Sequence, residues 1–137
     1  MASEAGQDLT FGVISFYKAQ ANQIRKQIGE LTDDPRRLRI GTVDSFQGME
    51  FDVVFLSMVR TTRQKRKKRD GDRQKQAYGL FGHLCLSNRL NVSMSRQKKL
   101  LVVVGDSTLL QDDLAPDFIP GLVDFFKLCQ ESGVVLR

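Results

Sequence analysis

Phe11-Gly12-Val13-Ile14-Ser15-Phe16 runs directly into residues 18–31, where Ala21, Ile24, Ile28 and Leu31 recur at helical spacing. A short apolar run followed by an amphipathic helix opens a strand–helix–strand unit. The pattern continues outward from it. Asp33-Asp34-Pro35 breaks the helix, residues 38–43 read as a second strand, and residues 52–59 as a third, very apolar one. Ser87 can cap a helix reaching Arg96 or Gln97. Residues 100–104 read as a fourth strand ending at Gly105-Asp106, with a short helix from Ser107. Leu122, Phe125, Phe126 and Cys129 mark one face of a last amphipathic helix. Near-continuous hydrophobic strands between such helices predict a mostly parallel sheet covered on both faces. Right-handed crossovers make that a three-layer α/β/α domain.

The 137 residues, 41 % of them hydrophobic, suit one compact domain with its own core. No repeat or second boundary interrupts residues 11–137, and residues 1–10 read as a polar start or a cloning boundary. No apolar stretch approaches the ~20 residues of a membrane helix, and no secretory signal opens the chain. Cys85 and Cys129 are far apart with no CxxC companion, and His83 has no triad partners. Two reduced thiols and no metal site are therefore expected, as in an intracellular protein, cytoplasmic or nuclear. The net charge of +5 is uneven. From Arg60 to Lys75 nine basic residues face Asp70 and Asp72, a local +7 that leaves the rest near −2. The positive charge belongs to a basic loop spanning residues 60–83.

In parallel α/β sheets, chemistry gathers at the carboxyl ends of the strands, here residues 44–50, 60–83 and 105–107. Gly41-Thr42-Val43-Asp44-Ser45-Phe46-Gln47-Gly48-Met49-Glu50 offers hydroxyls, an amide, a carboxylate and a glycine where backbone can approach a ligand. On those residues alone it is a polar loop at a ligand-binding edge, and phosphate is not singled out. Asn88-Arg89-Leu90-Asn91-Val92-Ser93-Met94-Ser95-Arg96-Gln97-Lys98-Lys99 precedes the fourth strand. Arg89 and Arg96 are seven apart, so on one helix they share a face, about 10 Å apart along the axis, beside a stripe of Leu86, Leu90 and Met94. Paired guanidinium groups suit an anionic partner such as a transferring phosphoryl. A merely solvated helix face fits the same spacing.

Taken together, Asp44-Ser45-Phe46-Gln47-Gly48-x-Glu50 and Arg89-Leu90-Asn91-Val92-x-x-Ser95-Arg96 closely resemble motifs V and VI of superfamily 1 helicases, nearest the Upf1-like family. Ser15-Phe16-Tyr17-x-x-Gln20 is similar to the motif IV region, so the resemblance spans residues 11–106. It implies the second, C-terminal RecA-like domain of a P-loop NTPase motor. By that resemblance Arg96 is the arginine finger on the nucleotide γ-phosphate. Gly48 approaches the same phosphate through its backbone, Glu50 hydrogen-bonds the ribose, and Gln20 faces the nucleotide cleft. Arg89 takes a structural or cleft-orienting role. Thr42 and Ser45 turn toward a single-stranded RNA or DNA backbone.

The match has departures. Motif VI commonly reads Asn-Val-Ala-Leu-Thr-Arg-Ala-Arg, whereas Ser93-Met94-Ser95 and Gln97-Lys98 stand here. Serine keeps the hydroxyl and methionine the volume; lysine weakens any bidentate role at its position. The chain has no Gly-x-x-x-x-Gly-Lys-Ser/Thr and no acidic pair suited to magnesium after a strand. ATP and Mg²⁺ would therefore be held mainly by a first RecA-like domain of the same full-length protein, and this stretch alone would not turn ATP over. For Arg63, Lys65, Arg66, Lys67 and Lys68 three readings stand: contact with the nucleic-acid strand, a nuclear-localisation signal, or solvation. A non-catalytic nucleic-acid binder of the same fold is the alternative function. An oxidoreductase lacks its Gly-x-Gly-x-x-Gly.

Overall fold

The computed structural model describes residues 8–34, 36–60 and 72–137. Its strands are β1 (Phe11–Ser15), β2 (Leu38–Thr42), β3 (Phe51–Ser57) and β4 (Gln97–Val104), in the order β2-β1-β3-β4. Every pairing is parallel. At the carboxyl edge Thr42 lies beside Ser15, Ser15 beside Ser57, and Ser57 beside Val104. An all-parallel sheet with helices between its strands is the α/β class the hydrophobic runs predict. The chain divides into two compact units, each with its own buried side chains.

The first unit, residues up to Val59 with Asn91–Gly105, holds the whole sheet. Ile14, Val54 and Leu56 on the central strands are 0 % exposed. Helix α1 (Lys18–Ile28) buries Ala21, and Arg25 Nη2 donates to the Ile40 carbonyl at 2.6 Å. A 3-10 turn, Gly29–Leu31, replaces the expected final helical turn, and Leu31 is exposed.

From β2 the chain reaches β3 in residues 43–50, passing the intervening β1. Parallel crossovers usually need a dozen or more residues. Here the 3-10 turn Val43–Phe46 buries Val43 and Phe46. Two strand glycines make the room. A Cβ on Gly12 would stand 2.8 Å from Phe46 Cε1, and one on Gly41 would collide with Ser45 Oγ. The Phe46 ring also meets Phe51, centroids 5.4 Å apart, and lies 5.9 Å from the Arg39 guanidinium. Glycine, normally a weakness in a strand, here permits a close approach.

The second unit, Arg60–Leu90 with Asp106–Arg137, is helical in its described residues. Helix α2 (Arg73–Phe81) is capped by Asp72, whose side chain accepts the Gln74 N–H at 2.9 Å. A 3-10 turn, Gly82–Cys85, leads to α3 (Ser87–Ser93). A second 3-10 turn, Ser107–Gln111, precedes α4 (Ala115–Phe118) and α5 (Pro120–Ser132). In α5 Leu122 and Val123 are buried, whereas Phe125, Phe126 and Cys129 are half-buried. Among the described residues no helix is long and apolar enough to cross a membrane.

The basic loop expected over residues 60–83 is corrected by α2. Arg73 and Lys75 lie on a helix that buries Ala77, Leu80 and Phe81. With Leu84 these stand at i, i+3, i+4 and i+7, a helical signal obscured by the surrounding charge.

Candidate functional site

The residues singled out in the sequence fall on both edges of the sheet, not only at the carboxyl ends of the strands. Thr42 closes β2 at the carboxyl edge, and Gln20 lies in the first turn of α1, just beyond β1. Both are half-buried. Ser45 Oγ donates to the Thr42 carbonyl at 2.7 Å. That bond uses the only proton the hydroxyl has. Downstream, the Met49 N–H donates to the Phe46 carbonyl at 3.0 Å. The turn places Gly48 at φ 74°, a left-handed conformation that glycine adopts without strain. A Cβ there would meet nothing within 4 Å, so the backbone is open to an approaching group.

Glu50 and Arg96 stand at the other edge. Each immediately precedes its strand, and the Phe51 N–H donates to the Arg96 carbonyl at 2.9 Å. Glu50 is exposed and Arg96 half-buried. Arg96 does not lie on a helix. Helix α3 ends at Ser93, and the Ser95 N–H and Oγ both donate to the Val92 carbonyl, at 3.3 and 3.1 Å. The expected helical face shared by Arg89 and Arg96 is therefore absent: Arg89 is on α3, while Arg96 follows a turn into β4. The expected stripe is likewise broken, since Leu90 is buried but Leu86 is exposed and Met94 lies past the helix.

The Arg96 side chain makes one hydrogen bond among the described residues, from Nη2 to Ser95 Oγ at 3.1 Å. Its Nε is buried without a partner, as is Oε1 of neighbouring Gln97. Unpaired buried polar atoms are uncommon and call for a physical reason. A guanidinium carries five N–H donors, so most of this one's capacity is unspent.

Beside these residues lies a group the sequence reading missed. Asp52 Oδ2 accepts from the Thr10 N–H at 2.9 Å and from Thr10 Oγ1 at 3.1 Å. Thr10 Oγ1 in turn accepts the Asp52 N–H at 2.9 Å. Lys99 Nζ stands 4.0 Å from Asp52 Oδ1. The Thr10 backbone N–H, then its hydroxyl, with Lys99 and Lys98 adding attraction, holds the carboxyl below its usual range against the opposing cost of desolvation. The register slips here: Phe51 faces Gln97 and Val53 faces Leu100, so Lys98 and Lys99 together oppose Asp52. Such bulges bend a strand edge and re-aim its side chains. An acid at the head of an apolar strand was the available signal.

Arg63, Lys65, Arg66, Lys67 and Lys68 lie outside the described residues. Among the described residues no cluster of three or more His, Cys, Asp or Glu could hold a metal ion. Burial raises the Cys85 thiol above its ordinary value.

A family profile described as an AAA domain matches residues 1–108. The chain is 39 % identical over 105 residues to DNA polymerase alpha-associated DNA helicase A of Saccharomyces cerevisiae, covering 74 % of this chain and 13 % of that protein. It is 33 % identical over 102 residues to RNA helicase Mov10l1 of Homo sapiens, covering 74 % of this chain and 8 % of that protein. It is 28 % identical over 134 residues to the helicase required for RNAi-mediated heterochromatin assembly 1 of Schizosaccharomyces pombe, 89 % of this chain and 12 % of that protein. The chain thus spans about an eighth or less of the length of these relatives.

Proposed function

The chain belongs to the AAA-domain family as a superfamily 1 helicase domain of the Upf1-like group, and from that premise we propose that it is the second RecA-like half of the motor, presenting Arg96 as the arginine finger. The observation that carries this reading is the state of Arg96. It sits at a strand head beside Glu50, with one side-chain hydrogen bond and a buried, unpaired Nε. A γ-phosphoryl group accepting from the guanidinium would use that idle donor capacity.

The residues fit a nucleotide in further respects. Open space at Gly48 lets a phosphate approach its backbone, and exposed Glu50 can accept from ribose hydroxyls. Gln20, at the carboxyl edge, stands away from Glu50 and Arg96 and takes no part in this reading. Bound ATP–Mg²⁺ supplies the phosphoanhydride and the metal charge, with the metal held by the first RecA-like domain. Arg96 contributes charge aimed at the phosphoryl oxygens as their bonds loosen. Thr42 and Ser45, with the basic residues from Arg63 to Lys68, would meet the strand of RNA or DNA. Ser45 must release the Thr42 carbonyl before it can donate to a phosphate, which offers a means of coupling strand contact to the crossover.

The test uses the full-length protein. Arg96→Ala should leave ATP affinity within a few-fold while turnover falls roughly 10³- to 10⁵-fold. Turnover equal to that of the wild type refutes the finger assignment.

A further inference from the structure

Of the nine Phe and two Tyr, Tyr78 alone is half exposed, at 50 %. It occupies the outer face of α2 with Gln74, Lys75 and Gly79, all exposed, while Ala77, Leu80 and Phe81 turn inward. The chain then reverses at Gly82, whose φ of 57° and ψ of −132° suit glycine alone. The reversal brings the His83 ring to 6.4 Å from the Tyr78 ring, tilted by 46°. The aromatic face is thus buttressed on one side and uncovered on another. Gly79 leaves the space next to it open, since a Cβ there would meet nothing within 4 Å. A mid-helix glycine weakens a helix, and here no neighbour packs against it to account for its presence.

The charge on the same helix face, and in the sequence just before it, identifies the partner. Tyr78 follows the most basic stretch of the chain, Arg60 to Lys75, with Lys75 one helical turn away on the same face. A cation beside an uncovered aromatic ring, as Lys75 stands to Tyr78, matches the chemistry of single-stranded nucleic acid, whose bases stack while its backbone is neutralised. We propose that Tyr78, buttressed by His83 and flanked by Lys75, is a base-stacking platform for the single strand. This rests on the nucleic-acid-binding reading of the domain and adds a contact outside its motifs. Stacking has no preference for one base, and it suits a motor that must grip every sequence.

The experiment is fluorescence anisotropy of the full-length protein with labelled polypyrimidine strands of about 15 nucleotides, DNA and RNA in parallel. Tyr78→Ala should weaken binding roughly 5- to 100-fold with an unchanged salt slope, because no cation is lost. Tyr78→Phe should bind within about twofold of wild type, and Tyr78→Leu, which keeps bulk without an aromatic face, should bind as weakly as Tyr78→Ala. Lys75→Ala should lower the salt slope by about 0.7, the contribution of one phosphate contact on a single strand. Wild-type affinity in Tyr78→Ala or Tyr78→Leu overturns the platform. Should Tyr78→Ala fail to fold, Tyr78→Leu decides alone. No binding by the wild type overturns the nucleic-acid reading beneath it.

Discussion

Between β2 and β3 the chain crosses in residues 43–50; between β3 and β4 it takes residues 58–96. The short crossover is held by packing. Phe46 is fully buried, Ser45 is bonded to the strand it leaves, and Gly12 and Gly41 keep the sheet face clear. The long one begins with a strained residue, passes through a basic stretch and carries a helix whose outer face is polar apart from Tyr78. The difference separates two kinds of site. In the short crossover, position is set by contacts, so substitutions change stability and function together. On the outer face of α2, function can change while the fold is left alone.

The short crossover offers the sharpest way to break this comparison. Gly41→Ala forces a methyl against Ser45 Oγ and should cost about 1–3 kcal/mol, the usual range for overpacking. The same Cβ stands 3.4 Å from Ser45 Cβ, close to ordinary contact. In a Ser45→Ala background, Gly41→Ala should therefore cost less than about 0.5 kcal/mol, leaving a clear coupling energy in the cycle. Urea unfolding of the four proteins measures it. Additive losses would mean that the hydroxyl does not set the spacing.

A smaller effect of opposite sign is expected where the long crossover begins. Val59 holds φ 63°, a left-handed conformation that a β-branched residue adopts only under strain, and it is 42 % exposed. Asparagine tolerates that region, and little apolar burial is lost. Val59→Asn should stabilise by about 1 kcal/mol, read as a higher urea midpoint at unchanged slope. A lower midpoint would show that packing of the valine outweighs its backbone strain.

How far the sequence could be read follows from the same contrast. Strand interiors such as Val13-Ile14 and Val53-Val54 announce themselves because they are apolar and central. The start of β4 does not: Gln97, Lys98 and Lys99 look like a helix end or loop, yet the backbone pairs with β3 from Gln97 onward. Helix α3 is shorter than its pattern suggests for a related reason. The Phe51 N–H takes the Arg96 carbonyl into the sheet, a tertiary demand invisible to local periodicity. For the candidate site, the motif resemblance picked out the residues from their order and spacing. That Glu50 and Arg96 head adjacent strands, away from the carboxyl edge, depends on the brevity of residues 43–50, which two strand glycines allow.

The smallest expected effect tests the other half of the comparison. Arg73 Nη2 donates to Asp117 Oδ2 at 2.6 Å, joining α2 to α4, with the two side chains 61 % and 63 % exposed. Its short geometry suggests a firm tie, but water and salt screen such a pair, and two long side chains lose freedom to form it. Burial of Ala77, Leu80 and Phe81 should dominate the hold on α2. Arg73→Ala should then cost no more than about 1 kcal/mol in urea unfolding, and raising the salt should shrink that difference further. A loss above about 2 kcal/mol, insensitive to salt, would mean that α2 is fixed by that single pair. The outer face of the long crossover could then not vary independently of the fold.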